Sequence, residues 1–238
     1  METYGQFLDR ISSFEKKETD FGNGYVGTNT SLTLKVDENN QFKDFYGDTV
    51  VFNLDHTTKE KVHQYVERVF ECAPECFCER LVPHTYHVTL HDLSNSPELW
   101  HISDEVFRNE IKLIECLKAK KVQPQTIRMK TKVVFNMVHT SLVFGLYPAD
   151  ETEYQKLMEL YEMINEVKQL NYPLTPHITM AYYNRYGFSA ESARKLETVI
   201  KELNEKESFE IVLDTKYLYY QKFTSMNNYI DIFCVENV

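Results

Sequence analysis

The chain has 238 residues, of which 42% are hydrophobic, 13% aromatic and 26% charged, with a formal net charge of -10. This profile excludes disordered and collagen-like chains, and no apolar run reaches the roughly 18 residues that a membrane helix needs. The acidic balance speaks against a partner such as long nucleic acid, whose phosphates it would repel, while leaving room for a small phosphate ligand.

The pattern predicts a helix over Tyr4–Lys17, where Phe7, Leu8, Ile11 and Phe14 fall at helical spacing. Asp20–Thr30 is rich in Gly and Asn, and its Gly22–Asn29 core reads as an ordinary loop without a phosphate-loop signature. Strands are predicted at Ser31–Val36 and Asp48–Leu54, then a helix capped by Asp55 or Thr57 and running to about Cys72. Phe77–Leu81 and His84–Leu90 read as short strands separated by Val82-Pro83. A long helix over Ser96–Lys120 precedes two strands, Thr126–Asn136 and Thr140–Tyr147, that form a hairpin across Met137-Val138-His139. The remaining expectations are a helix over Ala149–Leu170, a strand over His177–Tyr183 and a helix over Ala190–Asn204. Three strands then close the chain, Phe209–Asp214, Tyr217–Phe223 and Tyr229–Val235. Irregular alternation with hairpins predicts an α+β design built on antiparallel sheets, and no linker-like stretch divides it.

The N-terminus has neither a basic start nor an apolar stretch, so a cytoplasmic location is expected. The five cysteines, Cys72, Cys76, Cys78, Cys116 and Cys234, read as free thiols. No metal and no cofactor are expected. Cys72, Cys76 and Cys78 lack a second ligand pair, and His84, His87 and His91 cannot converge from one strand. His84 and His87 point to opposite faces, and His87 and His91 are about 13 Å apart along it.

One internal echo stands out. Each half carries a helix, a proline-bearing loop and a strand that opens His-apolar-Thr-apolar: His87-Val88-Thr89-Leu90 after Pro83, and His177-Ile178-Thr179-Met180 after Pro173 and Pro176. Composition counting expects only about 0.1 such matches by chance. On ideal strands Thr85, His87, Thr89 and His91 share one face, and His177, Thr179, Ala181 and Tyr183 share another. Each strand then buries an apolar face and offers an imidazole and a hydroxyl. Two such pairs across a groove suit phosphodiester cleavage, one imidazole removing a proton from the attacking oxygen and the other protonating the departing one. The hydroxyls of Thr89 and Thr179 are then placed to bind phosphate oxygens. Tyr183 is a candidate to stack on a base or bind phosphate, with packing as the alternative, and His91 reads as a rim residue.

These paired motifs resemble the signatures of the two-histidine (2H) phosphoesterase superfamily, which includes RNA 2',3'-cyclic phosphodiesterases and 2'-5' RNA ligase-like proteins. The resemblance implies one two-lobed domain over residues 1–238, with 1–43 as an N-terminal extension. It also implies two antiparallel sheets related by a pseudo-twofold, helices on the outer faces and both motifs in a central groove. It implies catalysis by His87 and His177 without a metal, on a small nucleotide or an RNA terminus carrying a 2',3'-cyclic or 2'-5' diester. A monomer is the expected state. The alternative is a non-catalytic nucleotide or RNA-end binding module on the same fold. The arginine often found shortly after the second motif is out of register here, where Ala181-Tyr182-Tyr183 stands and Arg185 follows.

Overall fold

The computed structural model describes residues 2–13, 27 and 29–238. Two four-stranded antiparallel sheets organise it, in the orders β2-β1-β7-β8 and β5-β4-β3-β6. The first contains β1 (Tyr46–Asn53), β2 (His87–Ser96), β7 (Leu218–Ser225) and β8 (Asn228–Cys234). The second contains β3 (Thr126–Met137), β4 (Ser141–Pro148), β5 (His177–Tyr182) and β6 (Glu210–Asp214). The architecture is the bilobal α+β one, with no parallel pairing between named strands.

The same unit occurs in each lobe. In the first, β1 leads through α3 (His56–Cys72) to its antiparallel neighbour β2; in the second, β4 leads through α5 (Glu151–Asn165) to its antiparallel neighbour β5. Both helices begin where an aspartate side chain accepts a backbone N–H: Asp55 from Thr58 and Asp150 from Glu153. Each cap stabilises its helix by about 1 kcal/mol. Along α3 the residues Val62, Tyr65, Val66, Val69 and Phe70 are buried, a spacing that turns one stripe inward. Each such side chain contributes roughly 1.5–3 kcal/mol of burial, so a charge at Val66 would break the packing. Two further helices, α4 (Leu99–Lys120) and α6 (Ala190–Asn204), lie against β2 and β3 respectively. No helix among the described residues is long and apolar enough to cross a membrane.

Close strand packing explains one glycine. A Cβ on Gly47 in β1 would stand 2.2 Å from the Phe223 ring and 2.2 Å from the Ser94 carbonyl oxygen, so no larger residue fits there.

Three expectations are corrected. Ser31–Val36 is not a strand: Asn29 accepts the Ser31 N–H and caps a single helical turn, α2 (Thr30–Thr33), and only Val36 pairs, with Phe42. Phe77–Leu81 is not a strand either. Phe77 makes one bridge, to Tyr183, while the Cys78 and Glu79 N–H groups donate to the carbonyls of Tyr182 and Asn40. Helix α5 stops short of Leu170, because the Asn165 side chain accepts the Leu170 N–H and ends the helix there. The first helix, α1, spans Tyr4–Ser12. The end of the helix expected over Tyr4–Lys17, and most of the Gly22–Asn29 loop, lie outside the described residues.

Candidate active site

The outermost strands β2 and β5 belong to different sheets, yet their backbones approach within 8 Å. Each opens with its histidine. Before β2, a 3-10 turn (Pro83–Thr85) reverses the chain, and Lys59 of α3 fastens it by donating to the His84 carbonyl at 2.7 Å. Before β5, Arg10 of α1 fastens the loop, donating to the Leu174 carbonyl at 2.9 Å and to the Thr175 hydroxyl at 3.2 Å. The two loops are thus pinned by cations from two different helices.

The imidazoles are held in the same way. His87 Nδ1 lies 2.7 Å from the Thr85 carbonyl oxygen, and His177 Nδ1 lies 2.7 Å from that of Thr175. A carbonyl only accepts, so both Nδ1 atoms carry the hydrogen, and each neutral ring keeps Nε2 as its acceptor. His87, His177, Thr89 and Thr179 all line one cavity of about 330 Å³. Neither threonine hydroxyl is engaged by a described residue. Both imidazoles and both hydroxyls therefore face one cavity.

Burial pushes the His87 imidazole down to about 4; the hydrogen bond to Thr85 and the Asp92 carboxylate oppose this, while His177 and Lys59 add to it. His177 is lowered too, again mainly by burial, with Lys35 contributing. A negatively charged phosphate seated between the rings favours their charged forms and moves both values back up.

The alternation expected along the two strands breaks at equivalent places. Opposite Val50 and Val51 of β1, the partners are His91 and Thr89, leaving Leu90 as an extra residue. Opposite Leu142 and Val143 of β4, the partners are Ala181 and Thr179, leaving Met180 as an extra residue. A β-bulge of this kind reverses the facing of everything beyond it. Tyr183 is consequently not a groove residue. Its side chain is fully buried, with ring centroids 5.7 Å from Phe77 and 5.6 Å from Phe188. Tyr182 lines the cavity in its stead. His91 is also turned inward: its Nδ1 donates to the Asp92 carbonyl, Nε2 meets Asn165 Oδ1 at 3.2 Å, and its ring packs on Tyr161. With both nitrogens engaged, it belongs to the wall of the site.

Several cavity residues escaped sequence reasoning. Tyr229 places its ring 4.9 Å from that of His87; Asp92 accepts the Tyr172 hydroxyl at 3.1 Å; and Lys35 and Met226 also line the cavity. None sits in a motif. Asp92 alone had a local signal, as a charge at the point where the alternating pattern of β2 fails.

No group of three or more histidine, cysteine or acidic side chains is placed to hold a metal ion among the described residues. Burial raises the Cys76 and Cys78 thiols to about 12, which leaves them protonated and poor ligands or nucleophiles at neutral pH.

No protein-family model matches the chain, and no curated protein does. Among solved structures, a conserved protein of unknown function from Agrobacterium tumefaciens is similar at 12% identity and a TM-score of 0.65. That match covers 84% of this chain and 90% of that one. At such low identity the likeness is one of fold. Escherichia coli LigT complexed with 3'-AMP is similar at 14% identity and a TM-score of 0.48, over 79% of this chain and 96% of that one. A protein described as a phosphoesterase is similar at 15% identity and a TM-score of 0.49, over 79% and 95% of the two chains.

Proposed function

We propose that this chain is a two-histidine phosphoesterase, which cleaves a phosphodiester in a small nucleotide or at an RNA end by histidine acid–base catalysis without a metal. The observation that carries this reading is the matched pair of imidazoles. Both are fixed through Nδ1 to the carbonyl two residues upstream, and both share one cavity with Thr89 and Thr179. One Nε2 takes the proton of the attacking water or hydroxyl as its oxygen bonds to phosphorus. The other ring, protonated, gives its Nε2 proton to the departing oxygen as that P–O bond breaks. Each transfer is typically worth about 10² to 10⁴ in rate. The threonine hydroxyls donate to the non-bridging oxygens, where negative charge grows in the transition state.

The test is a panel of 2',3'-cyclic and 2'-5' linked nucleotides assayed with and without EDTA. Turnover is expected to survive the chelator. Because the two rings act as a unit, His87→Ala and His177→Ala should each cost at least about 10³, with the double variant little worse than the poorer single one. Thr89→Ala and Thr179→Ala should each cost about 10- to 10³-fold. Near-normal turnover in either histidine variant, or loss in EDTA restored by a divalent ion, would overturn the assignment.

A further inference from the structure

The chemistry just described uses two histidines and two threonines, yet the cavity wall holds one more charged donor. Lys35 is the one lysine or arginine that lines it among the described residues. It arrives from outside the two-motif architecture, in the segment that precedes β1.

The backbone there is firmly held. The Lys35 N–H donates to the Leu32 carbonyl, and its own carbonyl accepts the Lys43 N–H at 3.0 Å. The next residue, Val36, is fully buried, bridges to Phe42 and accepts from Arg185 Nη1 at 2.9 Å. The side chain, by contrast, has no carboxylate partner among the described residues. Its ammonium lies over two ring faces, 5.2 Å from the Phe45 centroid and 5.3 Å from that of Tyr182. A lysine presented by a fixed backbone into this cavity, with only aromatic faces as partners among the described residues, keeps its donors for a ligand.

Tyr182, beneath this ammonium, follows Thr179 on β5 across the bulge at Met180, and the ammonium is near enough to His177 to add to the lowering of its pKa by burial. The ammonium therefore flanks the second motif beyond Thr179, over the Phe45 and Tyr182 rings. Asp92 repels any further anion from its own part of the wall. These placements point in one direction.

We propose that Lys35 forms a second anion subsite, which binds a phosphate of the substrate other than the scissile one. The substrate class is then a nucleotide that carries both a diester and a separate terminal phosphate. This deepens the phosphoesterase reading and rests on it for the position of the scissile group.

The experiment pairs a nucleoside 2',3'-cyclic phosphate with the same compound bearing a 5'-phosphate. The intact protein should prefer the 5'-phosphorylated compound about 10- to 100-fold in kcat/KM, the range of a hydrogen-bonded charge pair. Lys35→Gln should bring that ratio close to one, mainly through KM, and Lys35→Arg should restore it. A ratio near one in the unaltered protein would overturn the proposal. So would an equal loss on both compounds in Lys35→Gln, which places the ammonium at the scissile phosphate. If neither compound is cleaved, the 2',3'-cyclic form of the phosphoesterase reading fails separately, and calorimetry with a nucleoside 3',5'-bisphosphate and the 3'-monophosphate decides. Tighter binding of the bisphosphate that disappears in Lys35→Gln supports the subsite, and equal binding overturns it.

Discussion

A histidine is useful as a proton carrier only if its reactive nitrogen is free and its charge can change near the working pH. Both conditions trace to local backbone here. The Thr85 and Thr175 carbonyls hold Nδ1 of His87 and His177, so each Nε2 is the nitrogen left to exchange a proton. The charged forms are opposed chiefly by burial, with His87 at about 4 and His177 also below its ordinary value. The proposed catalysis needs one ring neutral and one charged, so kcat/KM, which reports the free protein, should form a bell displaced to the acid side. Its rising limb is expected near pH 4 and its falling limb below the usual histidine value of about 6.5. The kcat profile should lie at higher pH, because the bound phosphate stabilises an imidazolium. Superimposable kcat and kcat/KM profiles centred near pH 7 would contradict this assignment. A second residue-scale contrast separates two adjacent tyrosines. Tyr183→Ala empties a fully buried site and should cost about 3–5 kcal/mol in urea unfolding, while Tyr182→Ala should act mainly by raising KM. The reverse pattern would mean that β5 faces the other way in solution.

At the scale of elements, each motif strand depends on the loop that feeds it. Arg10 of α1 donates to Leu174 and Thr175, whose carbonyl in turn orients His177, and Glu2 accepts two hydrogen bonds from the same guanidinium. This gives the N-terminal helix an indirect part in positioning one ring. Arg10→Met is expected to lower kcat about tenfold through misplacement of His177, with a smaller change in KM. Lys at this position keeps the charge and not the planar fork, so Arg10→Lys should recover activity only in part. If Arg10→Met lowered thermal stability and left kcat untouched, α1 would be a packing element only. The equivalent bulges after Thr89 and Thr179 belong to the same scale, since each switches which side chains face the groove just past its motif.

Across the whole molecule, Asp48 links four elements. Buried in β1, its carboxylate accepts the Ser94 N–H of β2, the Asn109 amide of α4 and the Tyr220 hydroxyl of β7. Burial nevertheless outweighs these donors and raises the group to about 6. A carboxyl raised above its unfolded value of about 3.9 contributes stability that is fully present below that value and lost as pH rises through about 6. The change is worth about 3 kcal/mol, at 1.36 kcal/mol per pKa unit. The difference in unfolding free energy between the unaltered protein and Asp48→Asn should therefore slope between pH 4 and 6.5 and level off above. A difference constant across that window would show that Asp48 does not titrate there.

Much of this was legible from the sequence because its causes are local. A helix cap marked the start of α3, the expected bounds of α6 match the observed ones, and the hairpin of β3 and β4 followed from two β-type runs around a short turn. The two His-apolar-Thr-apolar motifs were readable because side-chain alternation holds over the first three residues of each strand. The strand expected at Ser31–Val36 failed because a single side-chain cap outweighed a β-type composition. Tyr183 was misplaced because a bulge is set by pairing with β4, a partner 36 to 39 residues away in sequence at that point, and not by β5 itself. Lys35, Asp92 and Tyr229 join the histidines only in three dimensions, through the approach of β2 and β5 and of the segments packed around them. Local sequence determined the motifs and most of the elements; the tertiary structure decided which side chains share the cavity, because facing and proximity depend on pairings between distant parts of the chain.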